Sequence, residues 1–395
     1  MNRLIGVDAA RGAALLGVIA VHSLYEANRD GTPTWSFSLF GGRSAALFAV
    51  LAGLGVAFLT GGRRIPLSEG KGTVAGLAAR ALAIGGIGLA LGYTDAGLGA
   101  VILPHLAVML LLAIPLVFLP GWVIAATGAL TAIGMPVLVH LLQPHLPKPK
   151  LRNPTLRYIV DDPLRLLYEL CFTGEYPALP WMAYLCAGLA IGRLDLTRRL
   201  VTTTLAGAGV VLAVAASVTS SFLTERYAMA RIWAAQPRSD LTGRETAELL
   251  ALGGDGTTPT NTWWWLAIDA PHTGTPFDLL GTTGVAMAVL GLMLLAAQAT
   301  RWAGVIQTPL AAAGSMTLTL YVVHIMFINS EYDVFEATTG CLVQIVAALV
   351  IGLAWRATVG RGPLETLTGA LASRARRWAT SERAVIAGTP ATGDR

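Results

Sequence analysis

The sequence predicts an all-α fold, a polytopic membrane helical bundle of about ten transmembrane helices with both termini cytoplasmic. Three observations carry this expectation. Hydrophobic residues make up 54% of the 395 positions and charged residues only 13%, against about 25% charged in a soluble domain, and mean hydropathy is +0.62. Apolar runs of about 20 residues, long enough to cross a bilayer, recur along the whole chain. Basic residues gather in alternate connections, as the positive-inside rule requires of an even number of spans.

The spans fall at 5–24, 40–61, 73–93, 99–118, 121–143, 176–193, 200–221, 275–298, 305–328 and 338–356. Residues 1–25 lack a small-residue cleavage site after the apolar stretch and read as a retained span. Breakers mark the joints: "GGRRIPLSEGKG" at 61–72, "LPGW" at 119–122 and "GRLDLTRR" at 192–199. Arg63, Arg64 and Lys71 follow the second span, Arg193, Arg198 and Arg199 the sixth, and Arg301 the eighth. Arg356, Arg361, Arg374, Arg376, Arg377 and Arg383 follow the last. All four groups lie on the cytoplasmic side of a ten-span chain. This gives one transmembrane domain over 1–367, with external loops at about 144–175 and 222–274, and a basic, partly disordered cytoplasmic tail at 368–395.

The loop at 222–274 has character of its own. "RETAELLAL" at 244–252 is helical in pattern, and Trp263, Trp264 and Trp265 stand together before a span, where aromatics commonly sit in the membrane interface. Stacking on a sugar is the other use for such a cluster. Cys171, Cys186 and Cys341 are too scattered for a zinc or redox site, so no metal is expected. A net charge of +5 is accounted for by orientation-setting arginines, and no nucleic-acid partner is expected; the partner is the lipid bilayer. Abundant Ala, Gly and Arg with few Lys point to a GC-rich bacterial genome, hence to the plasma (inner) membrane.

Chemistry enters through the ionisable residues. All six histidines, His22, His105, His140, His145, His272 and His324, fall at the external ends of spans or in external loops. His140 and His145 read as interfacial, and His105, after a proline, as a hydrogen-bonded bundle residue first and a substrate contact second. The first span, "VDAARGAALLGVIAVHS", is richer. Asp8 and Arg11 are three residues apart and can pair on one helix face. Arg11 and His22 are eleven apart, close to three turns, so both point the same way about 16 Å apart along the axis. Arg43 begins the second span near the outer level. Intramembrane charges are costly and mark function. A neutral histidine can serve as general base, and an arginine can hold a phosphate or a developing oxyanion.

These residues resemble a known group. "RLIGVDAARGAALLGVIAVH" is similar to the opening helix of membrane acyltransferases of the heparan-α-glucosaminide N-acetyltransferase and YeiB-like type, which place an Asp, then an Arg, then a His at this spacing. "GGRSAALFAVLAGLGVAFL" (41–59) resembles the second-span signature of the YeiB-like proteins, and "GRGPLETL" (360–367) their Gly-Pro-Leu-Glu tail. "GEYPALPWMAYLCAGLAIGR" (174–193) resembles the Tyr-Pro…Pro-Trp…Gly-Arg segment of the glucosaminide acetyltransferases. "AAGSMTLTLYVVH" (312–324) resembles a late Gly-x-Met-x-Leu-Thr-x-Tyr segment, with Ser315 where Arg is usual. The histidine that those enzymes carry in the loop after the first span is absent from 25–38.

The resemblance implies transfer of an acetyl or short acyl group from cytoplasmic acetyl-CoA or another acyl-CoA to a sugar, glycan or glycolipid at the external face. His22 is then the expected base, with His272 as partner or substitute. Arg11 and Arg43 face the thioester oxygen or donor phosphates, and Asp8 orients Arg11. Arg63, Arg64, Arg193 and Arg361 are candidates for the CoA phosphates. His105, Tyr176, Asp278, His324 and Glu331 are candidates on the acceptor side. A homodimer is one form such a bundle could take. Two rival readings are a transporter or flippase of a polar lipid or small molecule, which uses intramembrane charges equally well, and a non-catalytic assembly or sensing subunit, which would not need His22, Arg43 and His272 to converge.

Overall fold

A computed structural model describes residues 4–94, 99–146, 153–299 and 301–387. They form a helical bundle, and among them the only strand-like feature is one bridge between Ala27 and Pro33. In order, α1 spans Ile5–Ser23, α2 Trp35–Phe40, α3 Arg43–Leu59, α4 Gly70–Leu91 and α5 Leu103–Leu112, which a 3₁₀ turn extends to Phe118. Then come α6 (Gly121–Leu142), α7 (Tyr158–Asp161), α8 (Pro163–Phe172), α9 (Ala178–Ile191), α10 (Arg199–Leu223), α11 (Met229–Ala235) and α12 (Gly243–Leu252). The chain finishes with α13 (Pro276–Ala299), α14 (Arg301–Ile306), α15 (Thr308–Gly314), α16 (Thr317–Ile328), α17 (Ala337–Thr358) and α18 (Pro363–Ala387).

Among the described residues, seven helical stretches are long and apolar enough to cross a bilayer. They coincide with seven of the ten expected spans. An eighth, expected at 305–328, is a broken span: α15 and α16 meet at 78°. The remaining two, 99–118 and 176–193, fall on short apolar helices. α9 has 14 residues, about 21 Å of helix against a hydrocarbon core of about 30 Å. Pro177 precedes it and Gly192 caps it, and nearly all of it is buried by other helices. Hydropathy alone does not reveal how short such a helix is or how far other helices cover it.

The loops expected on the external side are also more helical than their composition suggests. α10 does not stop near 221; it runs through a π-helical turn at Thr224–Ala228 into α11 and on to Arg238. α12 matches the helical pattern of 244–252, begun by a capping box in which Thr242 and Glu245 exchange hydrogen bonds. Those bonds, from the Thr242 backbone first, hold the Glu245 carboxyl below its ordinary value. Trp265 is buried with Ala228 and Ile232 and donates from Nε1 to Asn261 Oδ1 at 3.0 Å. Trp264 stacks on Tyr227, and Trp263 lies against His140. The three tryptophans thus pack the loop together. The tail stays helical as far as Ala387, past the point where its composition turns polar.

α1 is the hub, packed against α3, α13, α15, α16 and α17. Its closest neighbour is α15. A Cβ on Gly314 would collide with the Asp8 carbonyl, and one on Gly12 with the Leu310 carbonyl, so the two backbones touch where Asp8 and Arg11 leave the helix. Small residues at such crossings let membrane helices approach in the absence of a hydrophobic driving force. Gly314→Ala is therefore expected to destabilise the bundle by about 1–3 kcal/mol, the cost of overpacking. Gly86→Ala, where a Cβ meets nothing within 4 Å, is expected to be neutral. Unfolding in mixed micelles, followed by circular dichroism, compares the two.

Candidate active site

Two cavities meet on the N-terminal half of α1. The first, about 810 Å³, lies between α1, α4 and α18 and is lined by Asp8, Arg11, Arg80, Arg361, Glu365 and Arg376 among others. Arg11 Nη1 bonds Asp8 Oδ1 at 3.2 Å, and Asp8 is buried. The second, about 410 Å³, shares Arg11, Arg80, Ser315 and Glu365 with the first and continues deeper, among Phe48, Leu51, Leu103 and Leu106, as far as Tyr321. A cationic vestibule thus leads into an apolar channel.

Glu365 sets the wall between them. Its Oε1 accepts from the backbone N–H groups of Leu318 (2.7 Å) and Thr319 (3.2 Å), and its Oε2 accepts from Thr319 Oγ1 at 2.6 Å. These donors belong to the first turn of α16, where N–H groups have no partner within the helix. A carboxylate also suits the positive end of the helix dipole. The carboxylate from α18 therefore fixes where α16 starts, and α16 carries Tyr321 and His324.

A third cavity, about 280 Å³, surrounds the far end of α1 and is lined by His22, Glu26, Gly99, Glu175, Tyr176 and His272. His22 Nδ1 lies 3.0 Å from His324 Nε2, and His324 Nδ1 lies 2.6 Å from Gln344 Oε1. Gln344 Nε2 donates to Ser23 Oγ at 3.3 Å. This relay fixes tautomers. The Gln344 oxygen accepts, so His324 Nδ1 carries a proton and its Nε2 is an acceptor. His22 Nδ1 then donates, and the neutral His22 ring keeps its lone pair on Nε2, the atom beside Gly99. His272 reaches the same pocket from a turn. Its φ of 54° is left-handed, a conformation that costs a non-glycine residue energy. Its Nδ1 donates to the Glu175 carbonyl at 3.1 Å, and its ring stacks on Trp181 at 6.1 Å and meets Tyr176 edge-on at 5.5 Å. Asp278 holds that turn: Oδ2 accepts from Gly274 N at 3.0 Å.

Tyr321 lines the second cavity. It is buried, and its hydroxyl accepts from Ile102 N at 3.3 Å. One turn further along α16 comes His324.

The family model described as "Heparan-alpha-glucosaminide N-acetyltransferase, catalytic" matches residues 3–224, more than half of the 395-residue chain. The chain belongs to the heparan-α-glucosaminide N-acetyltransferase catalytic family. Membership makes it a transmembrane acetyltransferase, and nothing among the described residues supports the rival transporter reading. No curated protein matches the chain. The matched region holds Asp8, Arg11, Arg80, His22 and Tyr176; His272, His324 and Glu365 lie beyond it.

Against this family background the expected residues sort themselves. Asp8, Arg11 and Arg361 share the cationic vestibule; His22, His272 and Tyr176 share the far pocket. His324 joins them through His22. His105 supports the site indirectly: its Nδ1 lies 3.2 Å from the Leu170 carbonyl, and its ring meets Tyr176 edge-on. Asp278 is a support for the His272 turn and lines none of the three cavities. Arg43 donates to the Ser38 carbonyl at the start of α3 and lines none of the three cavities, although its neighbours Gly42 and Ser44 line the far pocket. Arg63 pairs with Glu69 at 3.1 Å on the surface, Arg64 bonds the Phe118 carbonyl at 2.7 Å, and Arg193 bonds the carbonyls of Val117 and Leu119. Arg64 and Arg193 tie the connection after α5, Arg63 stays with the turn before α4, and none of the three lines either cavity on the Asp8 side. Glu331 is exposed beyond α16.

Arg80, Arg376, Glu365 and Gln344 were not among the expected site residues. Arg80 had a signal, a charge in mid-span of α4, but small neighbours on an otherwise bland helix masked it. Gln344 had none beyond being an amide within a span.

The Gly99 position yields a test. A Cβ there would lie 3.1 Å from His22 Nε2. Gly99→Ala is expected to displace the imidazole and lower acetyl transfer by about 10²-fold, the cost of misplacing a reacting group by about 1 Å, with an unchanged melting temperature. Transfer at the wild-type rate would remove the Nε2 edge from the site.

Proposed function

We propose that the protein moves an acetyl group from cytoplasmic acetyl-CoA, bound through the Asp8-side vestibule, to a sugar or glycolipid acceptor in the His22 pocket at the external face. One observation carries this reading: a cationic vestibule continues into an apolar channel that ends at Tyr321, one helical turn from the His324–His22 pair. The vestibule suits a nucleotide with phosphates, met by Arg11, Arg80, Arg361 and Arg376. The apolar channel suits the thin, flexible arm that bears the thioester. The small polar pocket beyond suits an acceptor.

In this reading the acceptor amine or hydroxyl gives its proton to His22 Nε2 as it attacks the thioester carbonyl. A C–N or C–O bond forms, the C–S bond breaks, and the proton passes to the departing thiolate to give free CoA. His324 and Gln344 hold His22 in the basic tautomer and orient the imidazolium that forms. His272, fixed by Glu175 and Trp181, is a second polar edge toward the acceptor. The Gly-Pro-Leu-Glu tail, whose Glu365 seats α16, supports the YeiB-like branch. Bacterial plasma membrane remains the proposed location.

Two variants test the assignment. His22→Ala is expected to lower transfer from acetyl-CoA to glucosamine by about 10²–10⁴-fold, as loss of a general base does, and to leave CoA binding intact. Arg80→Ala is expected to weaken CoA binding by about tenfold or more, close to 1.4 kcal/mol, read by calorimetry in detergent. A folded wild-type protein that binds neither CoA nor acetyl-CoA would overturn the reading.

A further inference from the structure

The histidine pocket adjoins a larger groove. It measures about 750 Å³ and is bounded by the end of α6, by α8 and by the chain from Arg238 to Asn261. Glu248, Gly253, Gly254 and Asp255 line both spaces, so the 253–255 turn is their common wall. That turn is bound to the residues beside the site. Gly254 N donates to the Pro271 carbonyl at 3.1 Å and Gly256 N to the His272 carbonyl at 2.6 Å.

The two spaces differ in scale and agree in chemistry. Small-molecule sites run from about 300 to 1,000 Å³. The histidine pocket, about 280 Å³, is at the lower bound and holds one small unit; the groove, at about 750 Å³, holds more. Hydroxyl- and amide-bearing residues line the groove, Tyr168, Thr173, Thr257, Thr260, Asn261 and Gln143 among them, residue types that suit a polyhydroxylated ligand. The charged residues lining the histidine pocket, among the described residues and apart from its histidines, are Glu26, Glu175, Glu248 and Asp255. An anion beside the acceptor atom would face like charge in a partly dry site.

We propose that the groove is a second acceptor subsite. It holds the sugar units that follow the one being acetylated, and the acceptor is an oligosaccharide that is uncharged or amine-bearing, without uronate or sulfate next to the acceptor unit. This rests on the acceptor pocket proposed above.

The test uses the purified full chain in proteoliposomes with acetyl-CoA and three probes: glucosamine, a glucosamine tetramer, and a tetrasaccharide alternating glucosamine with glucuronate. The expected KM for the glucosamine tetramer is at least tenfold below that for glucosamine, and the uronate tetrasaccharide gains nothing over glucosamine. Thr257→Trp, which fills the groove and leaves the histidine pocket alone, is expected to raise the tetramer KM to the monosaccharide value with glucosamine turnover unchanged. Thr260→Trp serves if that variant fails to fold. Asp255→Lys is expected to narrow the preference against the uronate probe. Equal KM for tetramer and monosaccharide, or preference for the uronate tetrasaccharide, overturns the proposal. Saturation-transfer NMR of the tetramer on the protein without donor separates the two readings. Tetramer binding that Thr257→Trp abolishes sustains the subsite even where no acetyl is transferred, and no tetramer binding overturns it.

Discussion

The contact between the Glu365 carboxylate and the first turn of α16 is the constraint on which the rest of the site depends. A span broken in mid-bundle frees backbone donors from the helix ladder, and within a membrane each such group left unsatisfied costs several kcal/mol. The break at Ser315 and Met316 is tolerable because Glu365 meets Leu318, Thr319 and the Thr319 hydroxyl together. The bend then gives α16 a start of its own, apart from α15, and so decides where Tyr321 closes the apolar channel and where His324 meets His22. Gly362 belongs to the same arrangement: a Cβ there would press on Glu365 and Met316.

The far pocket is built by a different logic. Its two histidines come from unrelated places, the end of α1 and a strained turn before α13, and each has one nitrogen committed to a fixed acceptor. Committing Nδ1 leaves Nε2 as the acceptor edge in both neutral rings. The neighbours do the orienting: Gln344 through His324 on one side, Glu175, Trp181 and Asp278 on the other.

Local periodicity made much of this legible in the sequence. Asp8, Arg11 and His22 sit on one helix, and three turns of spacing places them on a common stripe whatever surrounds them. The seven long spans and the helical pattern at 244–252 were legible for the same reason. What was not legible depends on neighbours distant in sequence. His324 and His22 are 302 residues apart, and no spacing rule joins them. Arg43, Arg64 and Arg193 look alike as loop-end arginines, yet carbonyls from other segments claim them, while Arg80 and Arg361 face a cavity. α9 is apolar enough to read as a span, yet it is only 14 residues long and is buried by other helices, which its composition does not show.

Because the carboxylate that seats α16 comes from the last helix, the order of synthesis matters. Every element that lines the histidine pocket is made before residue 365, yet α16 lacks its cap until that residue arrives. A nascent chain halted short of α18 holds both histidines and the vestibule arginines of α1 and α4, but has nothing to fix the bend that aligns them. The bend is thus secured only once residue 365 has been made, and a shorter chain in the membrane carries the two histidines without the contact that seats α16.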